Sequence, residues 1–160
     1  MLTLIATPMH LVTYATHFEG TLAQLVSAQP TLRVLGFGRP WRGYFDKVVA
    51  MVEYLETRDA VDVVLFVDGF DVNVGNTDSV ESYFARHSDV DVLFAKHVPP
   101  FHVPLVTEYV LRRQFGGNIN AGVYAGRVAA LRTLCAEALR RREQCHEDDQ
   151  CAFNVVAATA

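Results

Sequence analysis

The stretch Val61-Asp62-Val63-Val64-Leu65-Phe66-Val67 sets six apolar residues, four of them β-branched valines, around one aspartate. A run this short and this continuous fits a strand covered on both faces, because a strand wet on one side alternates polar and apolar residues. Such a strand requires a layer of helices or of further sheet on each side.

The rest of the sequence supplies those layers. Leu11-Val12-Thr13-Tyr14-Ala15 reads as a first buried strand, and Leu32-Arg33-Val34-Leu35 as a second, stopped by Gly36 and Gly38. Helical spacing runs through Leu22, Leu25 and Val26 up to Pro30, and again through Val48, Val49, Val52 and Leu55. Thr77 or Asp78 can cap a short helix through Val80, Tyr83 and Phe84. Val90 to Ala95 is a further strand, His97 to Pro104 a proline-rich loop, and Ile119 to Ala125 another short strand. Ala129 to Arg142 is a helix with Leu131, Leu134 and Leu139 on its apolar side, and Gln150 to Ala160 begins one more. Near-continuous strands alternating with helices predict a Rossmann-like α/β fold, with a mostly parallel central sheet and helices on both faces. Ligands of such sheets bind outside the carboxyl ends of the strands.

Composition narrows the function. At 160 residues, 51% apolar and 20% charged, the chain is sized for one globular domain with one core. A net charge of −4 argues against a nucleic-acid partner, since phosphate binding needs clustered cations in excess. Arg140-Arg141-Arg142 reads as a solvated helix end that complements the helix dipole. No apolar run reaches the ~20 residues of a membrane span. Met1 to Ala6 is apolar but lacks the basic region of a signal peptide, so the chain carries no compartment address of its own. The three cysteines are Cys135, in a helical apolar pattern, and Cys145 and Cys151, which flank His146. That flanking suits zinc or a disulfide, although no C-x-x-C pair is present.

Chemistry concentrates where the Val61–Val67 run ends, at Asp68-Gly69-Phe70-Asp71. An aspartate there faces the ligand crevice, and a second one three residues on, across a glycine turn, can converge on the same point. Two hard oxygen donors suit Mn²⁺ or Mg²⁺, with a diphosphate filling the remaining positions. The purely structural alternative is a turn-capping Asp68 and a solvated Asp71. An aspartate-nucleophile phosphatase is disfavoured, because its acid belongs two residues on, where Phe70 stands. Gly116-Gly117-Asn118-Ile119-Asn120-Ala121-Gly122 allows close backbone approach, with amides suited to sugar hydroxyls, or else forms a bulge or hairpin. Of the acids in His146-Glu147-Asp148-Asp149-Gln150, one can cap a helix and another can act as a base or orient an acceptor hydroxyl.

In order along the chain, Val34-Leu35-Gly36-Phe37-Gly38 with Trp41-Arg42-Gly43, then Phe66-Val67-Asp68-Gly69-Phe70-Asp71-Val72, Asn120-Ala121-Gly122 and Asp148-Asp149-Gln150 resemble one family. It is the glycosyltransferase domain of procollagen lysyl hydroxylases and related collagen hydroxylysine glycosyltransferases. The resemblance implies a GT-A fold, UDP-glucose or UDP-galactose as donor, Mn²⁺, and a collagen-like acceptor polypeptide, in a family that acts in the endoplasmic reticulum. It implies Asp68 and Asp71 as metal ligands and Thr16 and Lys47 as nucleotide contacts. Phe70 would stack on the uridine. Trp41 would border the donor pocket, its alternative being a core tryptophan. Asn120, Asp148 and Asp149 would face the donor sugar and the acceptor. The chain departs from the family in a shorter Trp41–Lys47 loop and in Phe70 where the family has tyrosine. The family's third metal ligand, a histidine beyond Asp-Asp-Gln, has no counterpart before Ala160; His97 and His102 read as loop residues. Residues 1–160 are accordingly expected to form one glycosyltransferase-like domain, either a fragment or a minimal homologue.

Overall fold

Successive residues of a strand point to opposite faces of its sheet, and this divides the core in two. The structure is a computed structural model that describes residues 8–96 and 119–159. In β1 (Met9–Tyr14) and β3 (Val63–Val67), Val12, Tyr14, Val64 and Phe66 join one apolar cluster. Leu11, Val63, Leu65 and Val67 join another on the opposite face. The first cluster is roofed by α2 (Phe45–Glu56), α4 (Val128–Arg140) and α5 (Asp149–Thr159). The second is covered by Leu25 of α1 (Leu22–Ala28) and Phe84 of α3 (Asp78–Arg86). Helices therefore cover both faces, as the continuous apolar run requires. In α2, Phe45, Val48, Met51 and Leu55 recur at helical spacing and are at most 1% exposed; each contributes roughly 1.5–3 kcal/mol by leaving water.

The five-stranded sheet has the order β2-β1-β3-β5-β4, with β2 at Arg33–Leu35, β4 at Val92–Lys96 and β5 at Ile119–Arg127. β1 pairs in parallel with β2 and β3, whereas β5 is antiparallel to both β3 and β4. Four strands thus share one direction and β5 runs against them: a mostly parallel core with one reversed strand. The carboxyl ends of β1, β2 and β3 lie at one edge, beside the amino-terminal end of β5.

Several local expectations shift. The long apolar strand starts at Val63 rather than Val61, which is 66% exposed. Asp62 is instead buried and accepts a hydrogen bond from His10 Nε2 at 3.0 Å. Helix α3 is capped by neither Thr77 nor Asp78, since the Asp78 N–H donates to the Asn76 side chain at 2.6 Å. Cys145 and Cys151 form a disulfide with Cα atoms 5.6 Å apart, which removes the zinc alternative. Cys135 is a free, fully buried thiol, pushed up to about 12 by burial, and thus inert. Arg142 leaves the helix end to pair with Glu147. The expected His97–Pro104 loop, with His97 and His102, lies outside the described residues. Among the described residues no helix is long and apolar enough to cross a membrane.

Candidate functional site

Asp68 takes its place from two neighbouring strands. As the first residue beyond β3, it donates its N–H to the Gly122 carbonyl of β5 at 2.7 Å. β5 is irregular here: Phe94 pairs with Tyr124, but the next residue, Ala95, pairs with Asn120, so Ala121–Val123 bulge out of the β4 ladder. The described part of the glycine-rich segment, from Ile119, therefore runs into a bulge that meets Asp68, while residues 116–118 lie outside the described residues. A Cβ on Gly122 would sit 3.0 Å from Asn120 Oδ1 and 3.5 Å from the Asp68 Cβ. The Asn120 side chain itself accepts the Gly122 N–H at 2.7 Å. On its other flank the Asp68–Asp71 turn is held by the Thr21 N–H, which donates to the Phe70 carbonyl at 3.0 Å. Gly20, at φ +54°, makes that approach possible, because a Cβ there would overlap the same carbonyl.

Two adjoining clefts open at this edge. The first, about 280 Å³, is walled by the rings of Tyr14, Trp41, Tyr44 and Phe70, with Thr16, Lys47 and Asp68 as polar groups. Trp41 packs between Tyr14 (5.9 Å between centroids) and Tyr44 (5.8 Å), yet it is 51% exposed. It is a rim residue, and the core-tryptophan alternative does not hold. His17, hydrogen-bonded to Thr16 and Glu19, lies 5.7 Å from the Phe70 ring. Burial, followed by the nearby Asp46 charge, raises the pKa of Tyr14, so its hydroxyl stays protonated at neutral pH. A wall of tilted and edge-on aromatic rings beside a cation and hydroxyls suits a nucleobase and its phosphates.

The second cleft, about 330 Å³, shares Tyr44, Lys47 and Asp68 with the first and adds Asn120, Gly122, Asp148, Asp149 and Gln150. Asp148 accepts the Cys151 N–H at 3.2 Å and so caps α5, while Asp149 opens that helix. Asp149 is 4% exposed. Its Oδ2 lies 2.8 Å from Lys47 Nζ, an ion pair that bridges α2 and α5 without forming an aligned hydrogen bond. Burial raises the Asp149 pKa, Lys47 lowers it in part, and Asp148 adds a smaller upward push.

Eight of the nine residues expected at the site therefore line these clefts: Thr16, Trp41, Lys47, Phe70 and Asp68, then Asn120, Asp148 and Asp149. Asp71 is exposed on the turn and lines neither. Tyr14 and Tyr44 join the lining without having been singled out by the sequence, and Gln150 joins it as the last residue of the Asp148-Asp149-Gln150 motif. Tyr44 is the N-cap of α2, three residues before Lys47, and that spacing is the signal that could have pointed to it.

The donor set admits a divalent cation. No lysine or arginine among the described residues pairs with Asp68, and its Oδ1 receives only a long 3.4 Å contact from the Phe70 N–H. The second cleft holds three carboxylates against one ammonium, so a bound diphosphate needs added positive charge. Among the described residues no three acidic, histidine or cysteine side chains cluster as ligands. Of the expected acidic pair, only Asp68 lines the clefts, and it would leave positions for phosphate oxygens and water.

No protein-family model matches the chain, and no curated protein does. Among solved structures it is similar to the galactosyltransferase LgtC in complex with donor and acceptor sugar analogs. The TM-score is 0.50 at 14% identity, over 91% of this chain and 70% of that one. The chain has a GT-A glycosyltransferase fold.

Proposed function

We propose that the protein is a glycosyltransferase that takes glucose or galactose from a UDP-sugar and passes it to a hydroxyl acceptor. The observation that carries this reading is the paired cleft: an aromatic half sized for a nucleoside and a polar half sized for a hexose, joined at Asp68 and Lys47. In this reading uracil lies among Tyr14, Trp41 and Phe70, and the ribose and phosphates reach Thr16 and Lys47. Asp68, with Asp71, would hold Mn²⁺ or Mg²⁺, whose chemistry is to offset the charge on the departing UDP. Asn120 bonds the sugar hydroxyls. Asp148 and Asp149 orient the acceptor hydroxyl, and a carboxyl of raised pKa is suited to exchange its proton. Residues 1–160 act as one glycosyltransferase-like domain.

The acceptor proposed is hydroxylysine, or galactosyl-hydroxylysine, in a collagen-like polypeptide; its support is the ordered sequence motifs. The test is turnover: the purified protein is incubated with UDP-glucose or UDP-galactose and Mn²⁺, with and without a hydroxylysine peptide. Release of UDP that depends on Mn²⁺ and disappears in Asp68→Ala supports the reading. Release that Asp68→Ala leaves unchanged, or none with either donor, ends it.

A second reading, a nucleotide-sugar-binding module without turnover, is favoured by one observation: Asp71 lies outside both clefts. It predicts uptake of UDP with Mn²⁺ and no consumption of either donor.

A further inference from the structure

The first residues of β5 lack a strand on one side. β3 pairs with β5 only from Val67 opposite Val123 onward, so Ile119 to Ala121 extend past its end. In an extended strand the N–H and C=O of one residue share an edge with the N–H of the residue two further on. The Ile119 N–H, Ile119 C=O and Ala121 N–H therefore face the same bare edge, in half-buried surroundings where an unpaired backbone group costs about 1–3 kcal/mol. All three are answered by side chains one helical turn apart on α5. Gln150 accepts the Ala121 N–H at 2.8 Å and donates to the Ile119 carbonyl. Asn154, 2% exposed, accepts the Ile119 N–H at 3.1 Å and donates to the Gln150 carbonyl at 2.7 Å. Two side-chain amides thus substitute for a missing strand.

We propose that Gln150 and Asn154 are positioning residues that set Asn120 and Gly122 against Asp68, an inference resting on the transferase reading for its catalytic consequence. Asn120 is the residue between the two clamped peptide groups. Its other edge pairs with Ala95, so the clamp fixes its backbone from both sides. Its side chain then holds the Gly122 N–H, and the Gly122 carbonyl holds the Asp68 N–H at 2.7 Å. The chain of contacts runs from the buried helix α5, through the bulge, to the carboxylate shared by both clefts. A loosened clamp leaves the aromatic half of the site intact and shifts the sugar half, and displacements near 1 Å there cost about 100-fold in rate.

The test uses Gln150→Met, which keeps the volume and removes the amide, and Asn154→Asp, which keeps the acceptor for Ile119 and removes the donor. Amide hydrogen exchange is read at Ala121 and Gly122. The proposal expects protection at Ala121 and Gly122 to fall together, by at least about 10-fold, in Gln150→Met. Turnover of the UDP-sugar is expected to drop about 10- to 100-fold in kcat, with KM for the donor within about threefold, and Asn154→Asp to fall between wild type and Gln150→Met. Gly122 protection unchanged while Ala121 loses its own would overturn the proposal, as would a lowered Tm with kcat intact. If wild type turns over no donor, the transferase reading fails by itself, and the coupled exchange of Ala121 and Gly122 still decides the clamp.

Discussion

Replacing Lys47 with methionine removes the cation from a carboxylate that has little other means of staying charged. The Lys47 side chain is 14% exposed and that of Asp149 5%, so the pair is largely dry. Deleting one partner of a buried pair costs about 3–5 kcal/mol; the partial exposure of Lys47 points to the lower end, about 3 kcal/mol. For 160 residues each kcal/mol is worth about 2–4 °C, so Tm should fall by about 6–12 °C near pH 8. The pH dependence follows from Asp149. Burial raises its folded-state pKa and Lys47 opposes that rise, so Lys47→Met pushes it higher still. A group with a raised folded pKa favours folding below its unfolded pKa of about 3.9, and that contribution is lost as pH rises through the folded value. The deficit in Lys47→Met is therefore largest at high pH and shrinks as pH falls, because protonation relieves the stranded carboxylate. Asp149→Asn alone should cost less, because the long lysine can carry its head into the water of the cleft. Adding it to Lys47→Met should recover most of the loss. Circular-dichroism melts at pH 5 and pH 8 on the three variants suffice. Equal deficits at both pH values, or no recovery in the double variant, would refute the reasoning.

Three other perturbations bear on the same edge. Cys151→Ala opens the disulfide loop, whose ends are 6 residues apart in sequence; chain entropy assigns such a loop roughly 2 kcal/mol, read as a lower urea midpoint at unchanged slope. Gly20→Ala strains a left-handed residue and drives a methyl group toward the Phe70 carbonyl, so a loss of about 2–3 kcal/mol together with weaker UDP binding is expected by melting and calorimetry. Trp41→Ala, at a half-exposed ring that packs on Tyr14 and Tyr44, should lower Tm by about 2–6 °C and weaken UDP about 5- to 10-fold by calorimetry, if the ring stacks on the base.

What the sequence made legible was local and periodic. Continuous apolar runs predicted β1 and β3, and the position of Asp68 after β3 followed from where that run stops. Helical spacing in Val48, Val52 and Leu55 did the same for α2. Strand direction was not legible at β5, because an apolar strand reads the same in either direction and the reversal is set by pairing with Val67 and Phe94. The Lys47–Asp149 pair joins residues about a hundred positions apart, and only the packing of α2 and α5 on one sheet face brings them together. Asn120 and Gly122 were visible as residue types suited to a ligand or a bulge, and the bulge is what the strand pairing shows. Gln150 was visible only as the end of the Asp148-Asp149-Gln150 motif, with no sign of its backbone role, and Asn154 carried no signal, since an amide that answers bare backbone looks like any polar residue of a helix. Asp71 fits the spacing of an acidic pair, but on the turn it remains exposed, where spacing alone says nothing about aim.

The central claim is that the joined clefts take up a nucleoside diphosphate through Asp68 and a divalent cation. Calorimetric titration of UDP, with Mn²⁺ and with chelator, into wild type and Asp68→Asn tests it most directly. The account predicts micromolar binding that needs Mn²⁺ and is weakened at least about 100-fold in Asp68→Asn, with the fold retained; a 100-fold change is about 2.8 kcal/mol. Binding of UDP that is indifferent to Mn²⁺, or equally tight in Asp68→Asn, would contradict it.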